Sequence, residues 1–246
     1  MADDAVKKGV RDLCNDYWVR RYPDVKMPQT YFLWWYRQAA RPGGMLLDVG
    51  CSDGGSVDHS KEAPAMTAVG ADVDFEALKR NTFVKYKVVA SADALPFRDG
   101  VFDLVTAQYV IEHLGSPEKS FSEFSRVSRP GAYFIYMTTN AASYLGFMIK
   151  NIPRSLQGTI KKKFLKMGEE EIYPVFMKGN TRGKLAGNLV RAGFRNPDFI
   201  FVGGPFYFAF SYALFRTAVA IEKITDGKLK HLKFYIIGKA EKDSNR

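Results

Sequence analysis

Short apolar runs alternate with helical patterns through the middle of the chain, and glycine or proline separates them. Two stretches between these runs predict helices, over residues 75–80 and from Ser116 to about 128, the second opened by a cap, a proline and an early acid. Strands separated by helices indicate parallel βαβ units in a doubly wound sheet. The five apolar runs, each typical of a buried strand, are residues 45–50, 67–73, 84–90, 102–109 and 132–137.

The flanking regions follow other patterns. Residues 5–21 place apolar side chains at helical spacing, and residues 29–40 carry the aromatic run Tyr31–Tyr36, so both segments are predicted as helices. Residues 141–180 form an irregular, partly basic insertion. A further helix is expected over 181–192, and the last two strands over 198–202 and 232–239. Between these strands we predict an apolar helix over residues 206–226.

Composition limits the class of protein. The chain has 246 residues, 46% of them apolar and 25% charged, which suits one large domain. Two cysteines are too few for a disulfide framework or a zinc site, and residues 1–16 contain no apolar signal-peptide core. We therefore expect a reducing, cytoplasmic location. The formal charge of +10 predicts attraction to nucleic acid or to an anionic membrane surface, and composition alone does not separate the two.

A glycine-rich loop follows the first predicted strand, in the run Asp48-Val49-Gly50-Cys51-Ser52-Asp53-Gly54-Gly55. Such a turn lets the backbone approach a ligand closely, and the next helix can offer its free N–H groups. Asp72 ends the second strand about 20 residues later, the spacing at which an acid meets ribose hydroxyls in dinucleotide-binding folds. The sequence thus predicts a site for an adenosine-containing cofactor.

With these motifs the chain resembles the class I S-adenosylmethionine-dependent methyltransferases, most closely the branch of ubiquinone- and menaquinone-biosynthesis-type small-molecule enzymes. The resemblance covers residues 44–140 and, more loosely, the remainder to Lys239. It implies a Rossmann-like α/β fold with a mostly parallel seven-stranded sheet and insertions after strands 5 and 6. It further implies S-adenosylmethionine as cofactor, S-adenosylhomocysteine as product, and no metal.

Residue by residue, the resemblance places Asp72 on the ribose and Val73 beside the adenine. Asp93 falls where the family contacts the exocyclic amine, the Ala94 N–H where it contacts the ring, and Gln108 where it holds the methionine moiety. Ser52 replaces the middle glycine of the family's loop, so we expect a slightly different turn with binding retained. The cofactor-binding set is therefore predicted as Asp48, Gly50, Cys51, Ser52, Gly54, Asp72, Val73, Asp93, Ala94 and Gln108.

Nicotinamide binding fits less well, because the loop lacks Gly-x-Gly-x-x-Gly. The implied organisation is one methyltransferase domain over residues 1–246. It comprises an N-terminal helical cap (1–43), a cofactor-binding half (44–140), the insertion (141–180), and a C-terminal half (181–246) that carries the apolar helix.

Several polar residues have two readings. Asp48 is expected to brace the loop through backbone N–H groups, to support the cofactor indirectly, or to do both. Asp74 is expected to cap the helix 75–80. His113 lies where a general base would act, but we favour local packing of its ring, since aligned methyl transfer needs chiefly positioning. His59 and His231 have no partner motif and are predicted at the surface.

The acceptor is inferred from three segments. The aromatic run Tyr31–Tyr36 either packs on the sheet or lines the acceptor pocket. The apolar helix is too short, and too soon charged, to span a membrane, so it fits an interfacial helix or a hydrophobic lid. Together with the basic residues of the insertion it favours a small hydrophobic or lipid-like acceptor and peripheral membrane contact. A tRNA-modifying methyltransferase and a non-catalytic cofactor-binding module are the alternatives. The basic residues are Lys150, Arg154, Lys161, Lys162, Lys163 and Lys166.

Overall fold

One mixed sheet contains the seven strands found in the computed structural model, which describes residues 9–54, 57–145 and 173–244. They lie in the spatial order β3-β2-β1-β4-β5-β7-β6. Strands β1 to β5 pair with one another in parallel, and β7 runs antiparallel between β5 and β6. The expected doubly wound, mostly parallel sheet is confirmed. The strands are β1 (Met45–Val49), β2 (Thr67–Asp72), β3 (Tyr86–Val89), β4 (Phe102–Gln108), β5 (Ser128–Thr139), β6 (Phe194–Val202) and β7 (Tyr235–Lys242).

Helices cover both faces of this sheet because alternate strand residues point to opposite sides. Leu47 of β1 packs into the layer formed with Phe121 and Leu185, whereas its neighbour Leu46 packs against Phe32 and Trp35 on the other face. The described helices are α1 (Val10–Arg21), α2 (Pro28–Ala39), α3 (His59–Glu62), α4 (Phe75–Arg80), α5 (Pro117–Val127), α6 (Arg182–Arg191) and α7 (Tyr212–Ile224).

The strand order reverses direction at β1, whose neighbours are β2 on one side and β4 on the other. In open α/β sheets, ligands bind in the crevice at the carboxyl ends of the strands beside such a switch point. The register aligns Asp48 of β1 with Gly70 of β2 and Thr106 of β4. The fold therefore directs attention to the loops that follow β1, β2 and β4.

Two strands begin earlier than the sequence predicts. The pattern predicts a strand over residues 132–137, but β5 starts at Ser128 and includes Arg129, Pro130 and Gly131. Pairing with β4 shifts register between Phe102 and Leu104, and such an irregularity accommodates a proline and a glycine at φ +75° inside a strand. Likewise β6 starts at Phe194, and its register with β7 shifts around Pro197.

The prediction of one apolar helix over residues 206–226 is wrong. A 3₁₀ helix (Pro205–Phe208) comes first, α7 begins only after Ser211, and a second 3₁₀ helix (Gly227–Leu232) follows. The break arises because Phe206 and Phe215 both pack into a small cluster with Cys14 of α1, which folds the segment back on itself. Within the described ranges, no helix combines the length and apolar character needed to cross a bilayer. The basic residues from Lys150 to Lys166 lie outside the described residues.

Candidate functional site

The loop after β1 folds back against the end of β2. The backbone N–H groups of Gly50 and Cys51 donate to the Ala71 carbonyl, at 2.7 and 3.4 Å. Gly50 has φ +68°, and a Cβ there would lie 2.3 Å from Cγ2 of Val110. A side chain at position 50 is therefore excluded both by backbone conformation and by space.

Ser52 keeps the turn that a glycine would favour. Its φ is +43°, in the left-handed region, and its N–H donates to Oδ2 of Asp72 at 2.8 Å. Ser52 therefore adopts the left-handed conformation expected of a glycine at this position, and its neighbours hold it at this φ.

Asp72 fastens the loop to the end of β2. Its Oδ2 accepts from Ser52 N and its Oδ1 accepts from Asp74 N at 2.9 Å, and the side chain is largely buried. Each carboxylate oxygen has a second lone pair, so two further hydroxyl donors can be accepted. Asp74 itself caps α4 by accepting from Ala77 N, as predicted.

Asn81 clamps the same loop, and our reading of the sequence missed it. Its Nδ2 donates to the carbonyls of Cys51 at 3.1 Å and Ser52 at 3.0 Å, while its Oδ1 accepts from Phe83 N. The side chain is almost completely buried. The only local signal was a polar residue at the end of α4, and that position alone does not indicate contact with a loop 30 residues earlier.

Asp48 and His59 form a buried pair beneath the loop. Asp48 accepts from Thr106 Oγ1 at 2.7 Å and from His59 Nε2 at 2.9 Å. The Nδ1 atom of His59 lies 2.8 Å from the Tyr36 hydroxyl, which donates to it in the neutral ring. Burial, together with the Asp48 charge, raises the pKa of Tyr36, so the phenol stays protonated.

Two predictions fail at this pair. His59 was expected at the surface, but it is 2% exposed, because α3 places its first residue between β1 and α2. Of the two readings of Asp48, bracing of the loop through backbone N–H groups is wrong, because its described partners are the side chains of His59 and Thr106. Indirect support of the cofactor by Asp48 stays a prediction. His231 is exposed as expected.

Cys51 and Gly54 close the other side of the loop. The Cys51 thiol is buried against Gly70, where an added Cβ would lie 2.5 Å from its Sγ, and burial raises the pKa of this thiol. Gly54 has φ +113° and abuts the Phe83 ring, with Cδ2 2.7 Å from the position of an added Cβ. Cys51 therefore offers its backbone rather than its sulfur to a ligand in the crevice.

Gln108 ends β4 with an unsatisfied group. Its Oε1 atom is buried and has no hydrogen-bond partner within the part of the chain that is described. A buried acceptor of this kind calls for an explanation, since most are paired. An ammonium group placed at the carboxyl end of β4 would satisfy it, and the methionine moiety of S-adenosylmethionine carries one.

The predicted adenine side is open to solvent. Val73 is 57% exposed, and Asp93 is exposed with Oδ1 accepting from Ser91 Oγ. The Ala94 N–H, which we expected to meet the adenine ring, donates to the Ser91 carbonyl at 3.1 Å. An adenine contact through this N–H would have to displace or share that turn bond.

Residues of α5 hold the neighbouring loop in place. Arg126 donates to the carbonyls of Phe97 at 2.6 Å and Leu95 at 2.9 Å, and it pairs with Glu123. The guanidinium lowers the pKa of the Glu123 carboxyl, which in turn accepts from Leu95 N. The adenine-side loop is thus braced from below by an ion pair that the sequence did not reveal.

The 3₁₀ helix Ile111–His113 follows the carboxyl end of β4. Glu112 is buried and accepts from Thr138 Oγ1 at 2.7 Å and from Thr139 Oγ1 at 3.3 Å, and burial raises its pKa. His113 donates through Nδ1 to the Pro174 carbonyl at 3.0 Å, and its ring meets that of Tyr173 edge-on. The Tyr173 hydroxyl donates to Asp74 Oδ2 at 3.1 Å, so this residue spans from His113 to the end of β2.

Three tyrosines converge beside Gln108, and we call them the tyrosine cluster: Tyr109, Tyr207 and Tyr235. The ring centroids of Tyr109 and Tyr207 lie 6.2 and 6.3 Å from that of Tyr235. Gln29 of α2 donates to the Tyr109 hydroxyl at 3.3 Å, and Tyr109 itself has φ +56°. Burial raises the pKa of each phenol, so all three remain neutral.

The acceptor groups of these residues fit the hydroxyl and ammonium donors of S-adenosylmethionine. An acid with spare lone pairs ends β2, an unsatisfied amide oxygen ends β4, and glycines lie between them at the switch point. No group of three or more His, Cys, Asp or Glu among the described residues is arranged to hold a metal ion.

Comparison with known proteins agrees with this geometry. Residues 47–136 match the sequence profile of the methyltransferase domain family. Ubiquinone biosynthesis O-methyltransferase of Thiobacillus denitrificans is 29% identical over 152 residues, which are 55% of this chain and 64% of that protein. Sterol 24-C-methyltransferase of Schizosaccharomyces pombe is 32% identical over 108 residues, covering 40% of this chain and 29% of that protein. The match thus spans less than two thirds of these relatives.

Solved structures share the fold at low sequence identity. Phosphoethanolamine N-methyltransferase 2 of Haemonchus contortus, solved with phosphomonomethylethanolamine and S-adenosylhomocysteine, gives a TM-score of 0.56 at 15% identity, covering 87% of this chain and 52% of that one. A putative methyltransferase of Bacillus halodurans gives 0.54 at 17% identity, covering 86% and 97%.

Proposed function

We propose that this protein transfers a methyl group from S-adenosylmethionine to a small hydrophobic acceptor at a membrane surface. The proposal is supported by the match of residues 47–136 to the methyltransferase domain family and by the similarity to a ubiquinone biosynthesis O-methyltransferase. The proposal rests mainly on two hydrogen-bond acceptors at the switch point that can accept further bonds. Gln108 Oε1 is buried and has no partner among the described residues, and the two carboxylate oxygens of Asp72 each have a spare lone pair.

The cofactor is held by residues from three strand ends. Asp72 accepts the ribose hydroxyls while keeping its bonds to Ser52 and Asp74, and Gln108 accepts from the ammonium group. Gly50 and Gly54 leave space for the close approach of the loop backbone, in which Asp48, Cys51 and Ser52 take part. Val73 and Asp93 line the adenine side, with the Ala94 backbone next to them.

When bound, S-adenosylmethionine supplies an electrophilic methyl group on a sulfonium. Asp72 and Gln108 would hold the cofactor at the strand ends while the acceptor approaches that methyl group. The chain's contribution is alignment, which by itself is worth about 7–11 kcal/mol in well-oriented reactions. An acceptor that carries a proton must release it, and His113 is the candidate to receive it. Its Nδ1–H on Pro174 O leaves Nε2 with the free lone pair.

The tyrosine cluster forms the wall that faces the acceptor. Its members lie at the carboxyl ends of β4 and β6 and the start of β7, next to Gln108. Neutral phenols give flat apolar faces and hydroxyl tips, which suits an acceptor that is largely apolar with a polar reacting group. Within the aromatic run Tyr31–Tyr36, the side chains of Phe32, Trp35 and Tyr36 pack on the sheet. The remaining residues of the run are therefore the ones that would line the acceptor pocket.

Membrane contact is supported by the surface where α1 and α7 pack together. On α1, on α7 and just before α7, apolar side chains are exposed, and so are the basic side chains of Arg20, Arg21 and Arg216. Exposed apolar residues with flanking cations are the pattern of interfacial helices on anionic membranes. The apolar set is Val10, Leu13, Phe210, Tyr212 and Leu214.

The test supplies S-adenosylmethionine labelled on its methyl group, together with cell extract separated into lipid, aqueous small-molecule, protein and RNA fractions. We expect label in the lipid or apolar fraction with the wild-type protein and none with Asp72→Ala. The double variant Phe210→Ser with Leu214→Glu should bind cofactor normally but label the lipid fraction less. Label confined to RNA would contradict the hydrophobic acceptor, and no label in any fraction despite cofactor binding would contradict catalysis.

A further inference from the structure

A cavity of about 360 Å³ lies at the edge of the sheet, four strands away from β1 and its loop. Three segments line it: the start of α6, the edge strand β6, and the 3₁₀ helix Gly227–Leu232. Its volume is within the range of about 300–1,000 Å³ typical of small-molecule pockets. Nothing in methyl transfer uses this cavity.

The lining carries an excess of positive charge. The lining includes three cations, Arg182, Lys228 and Lys230, and one acid, Asp198. Its formal net charge is therefore +2. None of these cations forms an ion pair with any residue in the described ranges, although Lys233 of the same region pairs with Asp226. The cavity therefore presents uncompensated cations to whatever enters it.

Two aromatic side chains of β6 line the cavity. Phe199 and Phe201 on β6 stack with their centroids 6.4 Å apart, and both pack onto the buried layer between the sheet and α5. Arg182 is the first residue of the ten-residue helix α6, whose N-terminal dipole adds partial positive charge. A Cβ added at Gly183 would meet nothing within 4 Å, so the backbone there is open to approach.

We propose that this cavity binds a phosphate group, carried by a membrane lipid headgroup or by a soluble phosphate ester. Lysines act as point charges toward phosphate, and arginine adds a planar fork of donors. Two exposed apolar residues flank the lysines: Ile224, 73% exposed, and Leu229, 42% exposed. In a membrane these side chains enter the apolar boundary while the lysines remain at the level of the phosphates.

The experiment uses the full chain and three arms at constant ionic strength: phosphatidylcholine vesicles, the same vesicles containing phosphatidic acid, and soluble glycerol phosphate. The test variant is Lys228→Gln with Lys230→Gln, and Arg182→Gln is measured separately. The matched control is Lys85→Gln with Lys87→Gln, which removes the same charge beside β3 at the opposite edge of the sheet. The basic residues from 150 to 166 are retained in all variants.

We expect the test double variant to bind phosphate about thirtyfold more weakly, because each lysine near a phosphate contributes about 1 kcal/mol to the binding free energy. The control should stay within about twofold of wild type, and Arg182→Gln should lose affinity as well. Loss seen only on phosphatidic acid vesicles assigns the cavity to a lipid headgroup, and loss with glycerol phosphate assigns it to a soluble ester. Equal binding by the test and control variants, or no phosphate binding by the wild type, overturns the proposal. None of these readouts depends on methyl transfer.

Discussion

His59 Nε2 lies 2.9 Å from Asp48 Oδ2, and the two side chains are buried where β1 meets the loop that follows it. Thr106 Oγ1 donates a hydrogen bond to the other carboxylate oxygen, Asp48 Oδ1. Asp48 is therefore held by a residue of β4 and by a residue of α3. This pair holds the end of β1 through side-chain hydrogen bonds. It makes the loop's conformation dependent on a histidine that lies outside the loop.

His59→Gln should lower the free energy of unfolding by about 2–4 kcal/mol, because it leaves the buried Asp48 oxygen and the Tyr36 hydroxyl without their partner. Chemical denaturation monitored by circular dichroism measures this loss. His231→Gln is the control, since His231 is exposed, and it should change stability by less than about 0.5 kcal/mol. Similar values for the two variants would show that the pair contributes nothing.

Asn81→Ala should weaken cofactor binding about tenfold without removing any predicted ligand contact. The loop carbonyls of Cys51 and Ser52 lose their donor, so the turn at Ser52 relaxes from its φ of +43°. Titration calorimetry with S-adenosylmethionine provides the measurement. The control is Thr82→Ala at the exposed residue next to Asn81, for which we expect an unchanged dissociation constant for S-adenosylmethionine. Equal cofactor affinities for the two variants would show that Asn81 does not hold the loop.

Glu112 should make stability fall with rising pH. Its folded-state pKa is raised above the ordinary 4.5, so the native state holds this proton after the unfolded chain has released it. Stability then decreases by up to about 1.4 kcal/mol per pH unit between 4.5 and the raised value, and levels off above it.

Urea unfolding between pH 4 and 8 tests the Glu112 prediction by comparing wild type with Glu112→Gln. The difference in unfolding free energy between the two should change with pH across this range, in favour of the variant at high pH. Glu118→Gln on the exposed first turn of α5 should run parallel to wild type. A constant difference for Glu112→Gln would mean that this carboxyl titrates normally.

Tyr235→Phe should lower kcat/KM for the acceptor about tenfold and leave cofactor affinity unchanged, because it removes one hydroxyl and keeps the ring. Tyr86→Phe, on the exposed face of β3, serves as the control. Steady-state kinetics with the acceptor found in the extract assay gives the values. A loss of cofactor affinity instead would place the tyrosine cluster on the wrong side of the crevice.

Local sequence patterns predicted most of the sheet and the helices. Helix α4 has the bounds that the pattern indicated, since Asp74 provides a cap and Asn81 follows its last turn. The starts of β5 and β6 were predicted too late because Pro130 and Pro197 indicate a turn in the sequence. Each proline lies at a register shift with the paired strand, and a single strand's sequence does not show such a shift. Ser211 separates two apolar turns that read as one helix, and the cause is packing against Cys14, about 200 residues away.

Sequence motifs predict which residues end the strands at the candidate site, but they do not predict the contacts between distant segments. Asp72 and Gln108 are found at the strand ends that the resemblance implied. His59, Asn81 and Tyr235 have no local signal, because each gains its partner only when the strand order brings separate segments together. The sequence neighbourhood of His59, Asp58-His59-Ser60, is that of an exposed turn.

We propose that Asp72 binds the ribose of S-adenosylmethionine. Titration calorimetry of the wild type, Asp72→Ala and Asp74→Ala tests it most directly, with circular dichroism to confirm that each variant is folded. Asp74 is the matched control because its carboxylate caps α4 while its backbone N–H, retained on substitution, is what binds Asp72. We predict saturable binding by the wild type, affinity within a few fold for Asp74→Ala, and a loss of at least about tenfold for Asp72→Ala. Unchanged affinity in Asp72→Ala, or no binding by the wild type, would contradict the account.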